Sequence, residues 1–162
     1  MATEIERKYL VLSMQDDVVL PEGLEIDQGY LASDGITVRV RTKGPKAYLT
    51  IKYSPEGQPE RTPVPGAAIQ REEFEYEIPV ADARKMLDAA KSRLQKVRFF
   101  LPSGVELDIF KGRHQGLILA EFESDNGAQA PKVPGIEWVE VTEDPRYSNS
   151  WISRNGVPGR RG

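Results

Sequence analysis

The chain has 162 residues, room for one domain with a substantial core, and its 22 Lys and Arg against 25 Asp and Glu leave a net charge of -3. That balance lacks the positive excess on which general nucleic-acid binding rests, so no nucleic-acid partner is expected. With no cysteine in the chain, disulfide frameworks, thiolate nucleophiles and Cys-ligated metal sites are excluded.

Glu4, Glu6, Arg7 and Lys8 interrupt the start of the chain, against a signal peptide. No apolar run approaches the ~20 residues of a spanning helix. A cytoplasmic protein with no membrane partner is expected, its oligomeric state left open.

Period-two alternation predicts strands at 2–11, 24–32, 36–43, 47–54, 69–79, 93–101, 105–112 and 117–124. Turn chemistry separates three pairs of them: Ala32-Ser33-Asp34-Gly35, Lys43-Gly44-Pro45-Lys46 and Leu101-Pro102-Ser103-Gly104. Connections this short join antiparallel neighbours. Residues 54–68, rich in Pro, Gly and charge, read as a mobile loop. A helix is predicted over 81–91 from Met86, Leu87 and Ala90 at helical spacing. Residues 125–135 read as a linker, and a weaker helix is expected near 146–154. One mainly β (α+β) domain over 1–162 follows, with a largely antiparallel sheet.

Side chains two apart on a strand share a face. Glu4, Glu6 and Lys8 therefore lie together, as do Arg39 with Arg41, Lys52 with Thr50, and Glu73, Glu75 with Glu77. Lys96 and Arg98, Glu106 and Asp108, and Glu121 and Glu123 complete the set. A single strand of this kind reads as half-solvated, its charges in water. Here most strands repeat one sign at i, i+2, while Ser, Asn and Gln are scarce on those faces. If the faces converged, two carboxylates 5 Å apart would repel by about 3 kcal/mol at an effective dielectric of ~20. Interleaved basic groups and bound cations would relieve that, and hard oxygen ligands suit Mg²⁺ or Mn²⁺. A cavity with both wants a polyanion and a metal, for which triphosphate is the obvious candidate.

The opening Glu4-Ile5-Glu6-Arg7-Lys8 resembles the E-x-E-x-K signature of the CYTH superfamily, the triphosphate tunnel metalloenzymes. The order that follows fits the same family: Arg39-x-Arg41, Lys52, Glu75-x-Glu77, Lys96-x-Arg98, Asp108 and Glu121-x-Glu123. The resemblance implies an eight-stranded antiparallel β-barrel forming a tunnel, charged faces inward, with a few flanking helices. It implies that Lys8, Arg39, Arg41, Lys52, Lys96 and Arg98 grip phosphate oxygens. It further implies metal ligation by Glu4, Glu6, Glu75, Glu77, Asp108, Glu121 and Glu123, and a catalytic set of Glu4, Glu6, Lys8 and Lys52. Whether Glu73 and Glu106 face the tunnel stays open.

The activity implied is metal-dependent hydrolysis of inorganic triphosphate to pyrophosphate and phosphate, with Mg²⁺ or Mn²⁺ as cofactor. Within the same fold, an adenylate cyclase or a thiamine triphosphatase is the alternative, and Tyr30, Tyr48 and Tyr53 keep a site for an organic group open. A polyphosphate-binding module without turnover is the alternative of another class, disfavoured by so many carboxylates. His114, the only histidine, reads as a residue of a solvated loop. Trp138 and Trp151 read as packing residues. No G-x-x-x-x-G-K-[ST] loop supports a P-loop nucleotide site.

Overall fold

The structure, a computed structural model, describes the backbone over residues 2–53 and 69–160 and the side chains over 5–53 and 72–160. Its strands are β1 (Ala2–Met14), β2 (Leu24–Asp34), β3 (Ile36–Lys43), β4 (Lys46–Tyr53), β5 (Ile69–Ile78), β6 (Ser92–Phe100), β7 (Glu106–Phe110), β8 (Ile118–Ser124) and β9 (Ile136–Glu140). Two α-helices accompany them, α1 (Val80–Ala89) and α2 (Asn149–Asn155). The loop expected over 54–68 lies outside the described residues.

The strands pair antiparallel in the order β5-β4-β3-β2-β6-β7-β8-β1-β9, with one further pairing between β5 and β1. That pairing joins Ala2–Glu6 to Ile69–Glu73. Beyond it β1 leaves β5, shifts register between Val11 and Ser13, and takes β9 as its neighbour instead. Such an irregularity bends and twists a strand. The result is a barrel-like tunnel of β1–β8 whose seam is paired over this short stretch only; the sheet is not closed along its length.

Local chemistry sets the connections. Between β3 and β4, Lys43 stands opposite Lys46, and Gly44 takes φ 57, the left-handed region that a side chain disfavours. α1 follows Pro79, with Asp82 in its first turn where the helix dipole favours an anion. Its buried Ala83 and Leu87 meet Val40 and Ala47 on the outer face of β3 and β4. Gly29 lets the helix end lie on β2, since a Cβ there would come within 2.7 Å of that of Ala90.

Apolar faces thus point outward, and large parts of them are covered, although Ile36 and Tyr76 stay exposed. On the other flank, Tyr9, Leu101, Val105, Leu107 and Ala120 are buried beneath Val133 and Trp138. Full burial of a side chain such as Leu107 stabilises by about 1.5–3 kcal/mol. Trp138 belongs to β9, a strand not expected from the sequence, although Ile136 and Trp138 do alternate; its ring lies 4.8 Å from that of Tyr9. The linker over 125–135 contains no helix or strand.

A third apolar cluster, Leu94, Phe110, Leu117, Leu119 and Ile152, sits at one end of the interior. Ile152 comes from α2, whose first turn is capped where the Ser148 side chain accepts a hydrogen bond from the Trp151 amide. No described helix is long and apolar enough to cross a membrane.

Candidate functional site

The charged faces turn inward. Lys96 and Asp108 are 0% exposed, and Glu6, Lys8, Arg39, Arg41, Arg98 and Glu121 are all buried. A half-solvated sheet with its charges in water is excluded. Register explains the convergence: Arg39 stands opposite Thr50 on β4, which stands opposite Glu75 on β5. Lys8 on β1 likewise faces Glu121 on β8. The interior holds a cavity of about 380 Å³ lined by Lys8, Arg39, Arg41, Lys43, Lys52 and Arg98 among basic groups. Its acidic lining is Glu6, Glu73, Glu75, Glu106, Glu121 and Glu123.

Continuous with this lining is a buried ion cluster. Asp108 receives Arg98 in a two-point contact, Nε to Oδ1 at 2.7 Å and Nη2 to Oδ2 at 2.8 Å. It also accepts from Lys96 Nζ at 2.6 Å, and that ammonium donates to Asn149 Oδ1 of α2 at 2.9 Å. Burial alone would raise the Asp108 carboxyl, but Arg98 and Lys96 together hold it below the usual carboxylate range. Burial pulls Lys96 down to about 7, outweighing the attraction of Asp108. Arg98, opposed by burial, is held well above the ordinary arginine value by Asp108, Glu121 and Glu106.

The facing wall is looser. Arg39 reaches Glu75 at 3.8 Å and Glu73 at 4.0 Å, and Lys52 reaches Glu73 at 3.3 Å. Thr50 accepts from Arg39 at 3.3 Å and donates to Glu75 at 3.0 Å. Arg39 Nε is buried with no hydrogen-bond partner among the described residues, which leaves a donor that an anion in the cavity could satisfy. Lys8 donates to the Tyr147 carbonyl at 3.0 Å and lies 3.5 Å from Glu121.

The residues read from the sequence separate into four groups. Glu6, Lys8, Arg39, Arg41, Lys52, Glu75, Arg98, Glu121 and Glu123 line the cavity. Lys96 and Asp108 support it from behind. Glu77 stands apart: it is 59% exposed at the side chain and 3.9 Å from Lys46, and it does not line the cavity. Glu73 takes the place expected of it, because the strand turns Glu73 and Glu75 inward where β4 supplies Lys52 and Thr50. Glu106 lines the cavity as well. The side chain of Glu4 lies outside the described residues.

Sequence reasoning missed several lining residues. Lys43 carries no pattern of its own, nor does Gln28, fully buried behind the lining against Arg41. Ser148, Asn149 and Trp151 arrive with α2, whose docking no local spacing foretells. His114 overturns the expectation of a solvated loop residue. It is 2% exposed, edge-on to Phe110, with Nε2 3.1 Å from the Ile152 carbonyl. The short turn Gly112–His114 folds it under α2, and burial lowers its pKa. Trp138 does pack; Trp151 packs against the apolar end cluster and also lines the cavity.

The donor set fits a hard divalent cation. Glu6 stands directly opposite Glu123 across β1 and β8, and Glu106 opposite Glu121 across β7 and β8. Like charges so placed destabilise a sheet unless something positive lies between them. Burial, then Glu121 and Asp108, raise the Glu106 carboxyl against Arg98. Among the described residues no three acidic or imidazole groups form a ready-made cation cage. Such a set suits an ion like Mg²⁺, which takes one or two carboxylates and completes its shell with water and substrate phosphates.

Fold and lining define a class: a β-tunnel protein whose buried interior sets cations beside opposed carboxylates. The chain belongs to the CYTH family, with residues 2–105 matching the CYTH domain. It is 37% identical to the inorganic triphosphatase of Acetivibrio thermocellus over 163 residues, 96% of each chain. It is 36% identical to that of Nitrosomonas europaea over 160 residues, covering 93% of this chain and 97% of the relative. A crystal structure described as an inorganic triphosphatase superposes with TM-score 0.63 at 32% identity, covering 98% of this chain and 99% of the other.

Proposed function

We propose that this protein hydrolyses inorganic triphosphate to pyrophosphate and phosphate with Mg²⁺ or Mn²⁺ as cofactor. The observation that carries the reading is a cavity whose buried cations outrun their partners. Arg39 Nε has no acceptor, and among the described residues no carboxylate lies within ion-pair distance of Arg41. Both donors are placed for phosphate oxygens, which the planar guanidinium meets in bidentate fashion. Lys8, Lys52 and Arg98 would take further oxygens by giving up part of their long contacts to Glu121 and Glu73. Lys96 and Asp108 fix Arg98 from behind rather than touch substrate.

Glu6 and Glu123, with Glu4, would hold the cation, and Glu121 and Glu75 would orient groups around it. When bound, the cation supplies charge neutralisation and lowers the pKa of an attacking water. The protein's own part is to align the chain of phosphates, exclude bulk water and offer cations to the charge that spreads over the transferred group. Water adds to a terminal phosphorus, the bridging P–O bond breaks, and pyrophosphate leaves on the opposite side.

The test is phosphate release from triphosphate, ATP and thiamine triphosphate with Mg²⁺ or Mn²⁺, with a check for cyclic AMP. Turnover of triphosphate above the organic substrates, lost in EDTA and restored by the cation, is expected. Full turnover by metal-free protein would sink the metal role. Binding of triphosphate without turnover would leave a polyphosphate-binding module.

A further inference from the structure

Each basic side chain in the interior needs something to hold it in place, and most use carboxylates. Arg41 does not. Its Nε and Nη2 both donate to Oε1 of Gln28, at 3.0 and 2.8 Å. Gln28 stands directly opposite Arg41 across β2 and β3 and is 0% exposed. Its Nε2 donates to Tyr30 Oη at 2.7 Å. The amide has one orientation that satisfies this network: Arg41 offers donors only, so Oε1 must face it and Nε2 must face Tyr30. Tyr30 therefore accepts here, and its own proton points away from Gln28.

We propose that Gln28 is a positioning residue that fixes Arg41 through a neutral amide, so that the arginine's charge stays uncancelled until a phosphate chain arrives. This rests on the triphosphate reading of the cavity. A carboxylate would hold the guanidinium as firmly, but it would have to be displaced or overcome by the substrate. A neutral acceptor fixes the same planar geometry with no competing anion. The cost of that choice is visible in the electrostatics. Burial, then Arg39 and Arg98, pull Arg41 down to about 9, against smaller help from Tyr30 and Asp108. Two other buried cations, Arg98 and Lys96, share Asp108, so carboxylate neutralisation is concentrated there rather than at Arg41.

Gln28→Glu and Gln28→Met separate this role from a structural one. Gln28→Glu keeps shape and tether but adds the missing anion; it should raise KM for inorganic triphosphate by about tenfold or more. Calorimetric affinity for triphosphate without divalent cation should fall in step, while the melting temperature stays at or above wild type. Gln28→Met has the same length and no polar atom; it should raise KM less, because the charge remains free while its aim is lost. Glu worse than Met in KM, with stability in the opposite order, is the expected signature. A wild-type KM in Gln28→Glu, or Met worse than Glu in affinity, overturns the proposal. If Gln28→Glu does not fold, an unchanged KM in Gln28→Met overturns it and a raised KM with kcat little changed supports it. Failure of the wild type to bind or hydrolyse triphosphate would overturn the functional reading instead.

Discussion

Arg98 and Arg41 face the same interior and are equally buried, at 6% and 7% exposure, yet they are held in opposite ways. Arg98 grips Asp108 at two points and also lies near Glu106 and Glu121. Arg41 is tethered to an amide. The first is a cation already neutralised, which ties β6 to β7 and β8 as well as facing the cavity. The second sets two hydrogen bonds to a neutral amide against its burial, with no carboxylate at ion-pair distance among the described residues. Identical residue types at identical depth can thus differ in how far their charge is already neutralised, and the partner's charge sets the extent.

The sharpest way to break this contrast is to unbalance the support side. Asp108→Asn keeps the shape but leaves Lys96 and Arg98 buried around a neutral group. Breaking a buried pair in this way costs about 3–5 kcal/mol, so chemical denaturation should show a loss of that order. If the midpoint hardly moves, the cluster is not the pillar described. On the capture side, Arg41→Ala should lower kcat/KM for triphosphate by roughly 100- to 1000-fold, as removal of one donor to a developing charge does. Stability should fall by less than in Asp108→Asn, because the lost charge had no carboxylate partner among the described residues. The main cost is the unsatisfied Oε1 of buried Gln28, about 1–3 kcal/mol. A large drop in melting temperature with intact activity would reverse the two roles.

Acid titration probes the support side more gently. The carboxyls of Asp108 and Glu121 lie below their ordinary values of 3.8 and 4.5. In that range the unfolded chain binds more protons than the folded one, so stability rises with pH. It is therefore fully present above those values and is lost as pH falls below them through the lower folded-state values. Melting of metal-free protein between pH 6 and 3, over about the range where carboxylates titrate, should show this decline, and Asp108→Asn should flatten it.

The smallest effect tests the inner boundary of the site. Glu77→Gln, on the outer rim, should leave turnover unchanged and move stability by no more than about 0.5 kcal/mol. Glu73→Gln, which removes one anionic partner of Lys52 and of Arg39, should alter triphosphate KM measurably. Equal behaviour of the two variants would mean that the strand does not divide as described.

Much of this was legible beforehand. Alternation at Arg39/Arg41, Lys96/Arg98 and Glu121/Glu123 marks strands and puts like charges on one face, because successive side chains point to opposite sides. Glu73, Glu75 and Glu77 show where that legibility stops. All three share a face, and only the pairing partners on β4 place Glu73 and Glu75 in the cavity and Glu77 at the rim. His114 and Gln28 give no local signal either, since one is buried by α2 and the other is defined by the arginine across from it.

By itself the sequence determined the strands other than β9, their turns, the inward candidates and the demand for a polyanion with a hard cation, since each is a property of spacing and charge along the chain. Tertiary structure alone decided which carboxylate neutralises which cation. That choice depends on distances across β2–β3 and β6–β7–β8, and on α2 lying over one end of the tunnel. Coulomb energy and desolvation depend on separation and burial in space, and no order of residues along the chain specifies either.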